Sequence, residues 1–155
     1  MIDMIKENHP EITEVSANDY IVGNTTSFRN IYGLEYPIPE TSQYWDVKEP
    51  KATECTEELN SELYNILSYK EYIHYYQNPS AGNNLKILLV NDSFIRMYIK
   101  DDFAEKFSDT LSIHWDNIPN LDEIVSLYNP DIIILESADI SSALGNVVNY
   151  VNKYE

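Results

Sequence analysis

Ser93 is the residue of this chain best placed by its neighbours to do chemistry. It stands in Leu85-Lys86-Ile87-Leu88-Leu89-Val90-Asn91-Asp92-Ser93-Phe94, where an apolar strand runs into Asp-Ser and then into an amphipathic segment, Phe94 to Phe107. In a parallel α/β sheet such a junction is the carboxyl end of a strand, where ligands and catalytic groups collect. A serine there presents its hydroxyl beside the first amides of a helix, at Phe94 and Ile95, and those amides can hold an oxyanion. A serine nucleophile also needs a base. His114 lies in Ser112-Ile113-His114-Trp115-Asp116, at the end of a second strand. Ser93, His114, Asp116 and Glu136 are therefore expected near one sheet edge, with Asn91 and Asp92 beside them, in a Ser-His-Asp arrangement. The same residues have plainer uses. Asp92 and Ser93 are good helix caps, Glu136, Ser137 and Asp139 can cap the last helix, and His114 can be an ordinary polar strand end. His74 lies in a tyrosine-rich strand, and His9 in a leader read as mobile. No two histidines have metal-ligand spacing and one cysteine, Cys55, cannot build a zinc site, so no metal is expected. The Asn91-Asp92-Ser93 turn lacks glycine, which disfavours a nucleotide site, and no cofactor is expected.

The elements that must position these residues alternate from residue 84 onward. Residues 85–91 read as a buried strand and 94–107 as a helix. Thr110 to Trp115 reads as a second strand, Leu121 to Tyr128 as a helix, Asp131 to Glu136 as a third strand and Ser141 to Tyr154 as a final helix. Continuous aliphatic strands between helices signal a parallel sheet covered on both faces. Right-handed crossovers then predict the order 2-1-3, with the Ser93 strand central. The expected class is α/β, a three-layer Rossmann-like (flavodoxin-like) parallel sheet, partial, with an irregular β-containing N-terminal half. Residues 1–83 are read as that irregular part of the same domain, and residues 84–155 as the α/β core. Gly23, Gly33, Pro37, Pro39 and Pro50 suggest loops and short strands. Thr56 is read as the cap of a helix from Glu57 to about Tyr69, and Glu71 to Gln77 as a strand.

Composition narrows the partners. Acidic residues outnumber basic ones 26 to 10, for a formal net charge of −16, which opposes binding to nucleic acid or an anionic membrane. The longest apolar runs fall far short of the ~20 residues that span a bilayer, so no membrane insertion is expected within this chain. No signal peptide is read. A single cysteine excludes an internal disulfide.

Three stretches, in order, carry a resemblance. They are Lys86-Ile87-Leu88-Leu89-Val90-Asn91-Asp92-Ser93-Phe94, then Phe103-Ala104-Glu105-Lys106-Phe107-Ser108, then Tyr128-Asn129-Pro130-Asp131-Ile132-Ile133-Ile134-Leu135-Glu136. Together they resemble the C-terminal part of the SGNH-hydrolase-like domains of the alginate O-acetyltransferase group, which includes relatives named for a DHHW motif. The first half of the chain resembles that group only loosely. The resemblance implies that Ser93 matches the family nucleophile. It further implies an extracytoplasmic role, periplasmic or at the cell surface, in moving or removing acetyl groups on a polysaccharide, with a polysaccharide or an acyl-donor protein as partner. In that family the base comes from an Asp-x-His motif before the serine. This chain has no Asp-x-His and no DHHW, and Asn91 stands where the family has Gly. The expectation is therefore a fragment or a degenerate member lacking its base. Two other readings stay open. One is a non-catalytic carbohydrate-binding or scaffold module whose aromatic residues stack on sugars. The other is a complete small hydrolase using Ser93 with His114. The acidity favours a neutral glycan over a polyanion.

Overall fold

In the computed structural model the described residues are 2–13, 17–29, 38–92, 95, 100–137 and 143–153. The chain forms two units, Glu14–Pro50 and the combination of Met1–Thr13 with Lys51–Glu155.

The smaller unit is an antiparallel hairpin of β1 (Tyr20–Arg29) and β2 (Ile38–Val47), in register from Tyr20↔Val47 to Arg29↔Ile38. The β content expected of the N-terminal half is present, but in strands of ten residues each rather than short ones. Gly23 pairs with Tyr44 and Phe28 with Pro39 inside the ladder. In a two-stranded hairpin both strands are edges, so a proline costs no ladder bond on its outward side. The base of the hairpin is tied where the Lys48 N–H donates to the Asp19 carbonyl at 2.8 Å.

The larger unit is built on a mixed five-stranded sheet. Its strands are β3 (Thr53–Glu54), β4 (His74–Gln77), β5 (Lys86–Asn91), β6 (Asp109–His114) and β7 (Ile132–Leu135), in the order β3-β4-β6-β5-β7. β5 runs parallel to both β6 and β7, which is the expected 2-1-3 order with the Asn91-Asp92 strand in the middle. β4 joins antiparallel to β6, and β3 antiparallel to β4. The result is a Rossmann-like α/β fold to which strands from the first 83 residues contribute an antiparallel edge. The described helices are α1 (Ile2–Lys6), α2 (Ser61–Ile66), α3 (Lys100–Ala104), α4 (Leu121–Tyr128) and α5 (Ala143–Val151). None is long and apolar enough to cross a membrane.

β5 is apolar on both faces because helices and loops cover both. Leu88 and Val90 join one core with Leu111, Ile113, Ile118, Leu121 and Ile124. Ile87 and Leu89 join the other with Ile95, Phe103, Phe107 and Ile12. Ile12 is 1% exposed, and Ile5 packs against the same core. The leader is thus anchored by two apolar side chains, and His9 does not sit in a mobile arm.

Local chemistry moves several boundaries. The helix expected from Glu57 to Tyr69 is instead a 3-10 turn at Thr56–Glu58 and the shorter α2. Its cap is Asn60, whose Oδ1 accepts from the Glu62 and Leu63 N–H groups at 2.8 and 3.3 Å. Thr56 cannot serve, because its hydroxyl accepts from the Tyr75 N–H at 3.0 Å and so belongs to the sheet edge. The strand expected from Glu71 begins at His74, since Lys70–Tyr72 forms another 3-10 turn. α4 lies where its pattern puts it, with Leu121, Ile124 and Tyr128 buried on one face and Asn129 closing it in the left-handed conformation. Of the helix expected at 94–107, Ile95 is helical and α3 ends at Ala104; residues 93, 94 and 96–99 lie outside the described residues.

Among the described residues one buried side-chain polar atom is unmatched. Thr110 Oγ1, near the start of β6, has no hydrogen-bond partner. Burying an unpaired hydroxyl is costly, and replacing it by an isosteric methyl removes that cost. Thr110→Val is expected to raise the urea midpoint by a stabilisation of about 1 kcal/mol, with the urea m-value unchanged.

Candidate functional site

The carboxyl ends of β5, β6 and β7 meet at one sheet edge. Asn91 ends β5, fully buried, and its Nδ2 donates to Ser112 Oγ at 2.8 Å and to the Leu89 carbonyl at 3.1 Å. The next residue, Asp92, is also buried, and its N–H donates to Glu136 Oε2 at 3.2 Å. The Glu136 N–H in turn donates to the Val90 carbonyl at 2.9 Å. Burial raises the Glu136 carboxyl above the ordinary glutamate range. The hydrogen bond from the Asp92 N–H opposes this, and the neighbouring Asp92 charge and a hydrogen bond with its side chain reinforce it. Asp92 and Glu136 are therefore neighbouring carboxyls, and the repulsion between them adds to burial in favouring the protonated form of Glu136.

His114 ends β6 and is paired in register with Asn91. Its Nδ1 lies 3.3 Å from Asp116 Oδ2 and 3.4 Å from the Asp116 N–H. The two contacts compete for one nitrogen. A protonated Nδ1 serves the carboxylate, and in that tautomer Nε2 carries the ring's lone pair. Three aromatic rings surround the imidazole, with centroids at 5.1 Å for Tyr69, 5.5 Å for Tyr72 and 5.2 Å for Trp115. Hydrogen bonding toward the Asp116 carboxylate and its charge push the Tyr69 phenol upward in pKa.

Tyr69 adopts φ 54°, ψ 63°, the left-handed region. For a bulky side chain this conformation costs about 1–3 kcal/mol and persists only where its surroundings impose it. Asn117 imposes it. Asn117 is fully buried; its Oδ1 accepts from the Ser68 N–H at 2.7 Å, while Nδ2 donates to the His114 carbonyl at 2.9 Å and to the Ser68 carbonyl at 3.4 Å. One side chain thus fastens the Tyr69 loop to the end of β6.

The sequence placed Asn91, Asp92, His114, Asp116 and Glu136 at one edge, and the structure brings them there as two groups. Asp92 and Glu136 form one, His114 and Asp116 the other, with Asn91 between. Ser93 and Phe94 lie outside the described residues, as does Asp139. His74 is elsewhere, with Nδ1 2.7 Å from Glu54 Oε1, and His9 pairs with Glu11 at 3.3 Å. Tyr69 and Asn117 were not legible as site residues. Tyr69 carries no turn signature, and Asn117 reads only as one of several turn residues after β6. No group of three or more His, Cys, Asp or Glu among the described residues is arranged to hold a metal ion.

No family model matches this chain, and no curated protein matches it. Solved structures do. Bacillus cereus PatB1 with a sulfonyl adduct superposes with a TM-score of 0.58 at 18% identity, over 86% of this chain and 52% of that one. A second PatB1 structure gives 0.56 at 19% identity, over 86% and 54%. The fold is shared with PatB1. The chain spans about half the length of those structures.

Two outcomes follow from the site's electrostatics and its tether. A carboxyl whose folded-state pKa is raised binds its proton more tightly when folded, so its contribution to stability falls as pH rises above the ordinary glutamate range. Glu136→Gln keeps an acceptor for the Asp92 N–H and removes the charge. It is expected to be more stable than the parent at pH 7, by under about 1 kcal/mol given solvent screening, with the gain vanishing below the ordinary glutamate pKa in melts taken across pH. Asn117→Ala removes three hydrogen bonds made by a fully buried amide, to the Ser68 N–H and to the His114 and Ser68 carbonyls, and should lose about 1–3 kcal/mol in urea denaturation.

Proposed function

We propose that this chain is an SGNH-like acyl-transfer domain that acts on acetyl esters of a cell-surface polysaccharide, with Ser93 as the acyl acceptor and His114 as its base. The observation that carries this reading is the His114–Asp116 pair. It stands in register with Asn91, two residues before Ser93, at the carboxyl edge of a parallel sheet. The likeness of fold to PatB1 supports it, and a sulfonyl adduct such as one of those structures carries is what a nucleophilic side chain forms with a sulfonyl electrophile. The family resemblance supplies the acetyl group and the polysaccharide.

In this scheme the Ser93 hydroxyl attacks the acetyl carbonyl and its proton passes to His114 Nε2. Asp116 at Nδ1 stabilises the imidazolium, and the sugar alcohol leaves with that proton. The acetyl group then passes to a second hydroxyl or to water. The helix amides after Ser93 hold the oxyanion. The upward shift of the Glu136 carboxyl matters here, because a full negative charge on it beside a developing oxyanion would oppose that oxyanion. Where the resembled family uses Asp-x-His, this chain offers the reverse order, His114-Trp115-Asp116. A second reading, a carbohydrate-binding module without turnover, is favoured by the rings packed around His114.

The test is hydrolysis of p-nitrophenyl acetate, with mass spectrometry of the quenched protein. Turnover with an acetyl group trapped on Ser93 is expected. Ser93→Ala should abolish both, and His114→Ala should lower the rate about 10²- to 10⁴-fold, the usual worth of a general base. A folded parent protein that neither turns over nor acquires an acetyl group sinks this reading in favour of the binding module.

A further inference from the structure

We propose that Tyr69 and Tyr72 form a stacking platform for an uncharged pyranose chain at the mouth of the His114 site. This deepens the acyl-transfer reading and rests on it for the link to a reaction, though not for the binding itself.

Two non-glycine residues have positive φ, Tyr69 and Asn129, among the described residues. Asn129 has an ordinary reason, since an asparagine closing a helix tolerates that conformation. Tyr69 has none of that kind. The residue remains 48% exposed, so the strained backbone does not serve to bury it. What the conformation does achieve is an arrangement of rings. Tyr69 and Tyr72 lie within 7° of parallel with centroids 6.2 Å apart, and both lean on His114. The apolar C–H face of a pyranose lies flat on such rings, while its equatorial hydroxyls need acceptors at the margin. Asp116, 3.3 Å from the imidazole on which both tyrosines lean, is an acceptor at that margin. The platform is set in advance, because Asn117 grips both backbone groups of Ser68 next door, so little ordering cost falls on the ligand.

Charge selects the ligand. Both Asp116 and Glu71 raise the Tyr69 phenol, so two carboxylates act at the platform. With the chain at −16, a sugar bearing carboxylates or sulfates is repelled and an uncharged one is not.

The experiment is a titration followed by Trp115 fluorescence in a Trp45→Phe background and by calorimetry. The probes are cellohexaose, xylohexaose and chitohexaose, with hexagalacturonate as the anionic comparison. At least one neutral hexamer is expected to bind saturably and the galacturonate not to bind. Tyr69→Gly removes the ring while suiting the left-handed backbone, so it should melt no lower than the parent and still bind at least ~10-fold more weakly; Tyr72→Ala should weaken binding similarly, and Tyr69→Phe by under ~3-fold. Failure of all three neutral hexamers to bind overturns the proposal, as does undiminished binding by Tyr69→Gly or a preference for hexagalacturonate. Ester turnover by a protein that binds no hexamer overturns the platform alone. Hexamer binding by a protein without turnover keeps the platform and overturns acyl transfer.

Discussion

The larger unit depends on β5 being buried on both faces while ending in polar residues. Ile87, Leu88, Leu89 and Val90 are each fully excluded from solvent, and burying such a side chain contributes about 1.5–3 kcal/mol. An alternating strand fixes its register because a one-residue slip would turn its apolar side to water. A strand apolar on both sides has no such safeguard. Here the register is held by polar contacts at its ends. The Lys86 N–H donates to Asp131 Oδ2 at 2.8 Å and the Asp131 N–H to the Lys86 carbonyl at 2.9 Å. At the other end Asn91 reaches Ser112, and Glu136 takes the Val90 carbonyl. The contacts that hold register at the carboxyl end are therefore the same ones that build the candidate site.

That coupling restricts how the site can manage charge. Several of the few lysines are engaged locally. Lys86 Nζ donates to the Tyr128 carbonyl at 2.6 Å over its ring, Lys100 to the Tyr76 hydroxyl at 2.7 Å, Lys70 to the Tyr64 carbonyl, and Lys153 pairs with Asp122. Carboxyl groups, by contrast, converge on the sheet edge as Asp92, Glu136 and Asp116. A negative charge placed there would have to be met by N–H dipoles rather than by cations, and the burial that raises Glu136 weakens the opposing field.

The sheet was legible in the sequence because its strands are short apolar runs between clear turns. Asn129-Pro130 marks the start of the β7 region, and the 2-1-3 order follows from handedness alone. α4 was legible to the residue because Leu121, Ile124 and Tyr128 share a face and Asn129 closes it. The α2 region misled because Thr56 and Asn60 are both good caps. Only the tertiary contact of the Thr56 hydroxyl with the Tyr75 N–H decides between them. The leader misled for a similar reason: the helix ends at Lys6 and Pro10 interrupts the pattern between Ile5 and Ile12, yet both reach one core. At the site, strand ends predicted which residues share an edge but not how they divide. The carboxyl pairing of Asp92 with Glu136 joins residues 44 apart in sequence, and no local pattern encodes it. Nor does any pattern encode a left-handed Tyr69.

The order His-x-Asp changes what holds the imidazole. Residues i and i+2 of a regular strand project to the same side about 6.6 Å apart, too far for a carboxylate to meet Nδ1 without both side chains bending toward each other. Here β6 stops at His114, and Trp115–Asn120 turns at once into a 3-10 helix that folds Asp116 back toward the ring. The couple therefore depends on that turn, and the turn depends on Asn117. Its side chain holds the His114 carbonyl on one side and Ser68 on the other, with Pro119 stiffening the segment beyond. The same bonds set the Tyr69 loop against the imidazole. A single buried amide thus fixes both the orientation of the histidine and the rings beside it, which makes the edge of β6 one mechanical unit even though its residues come from two stretches of chain some fifty residues apart.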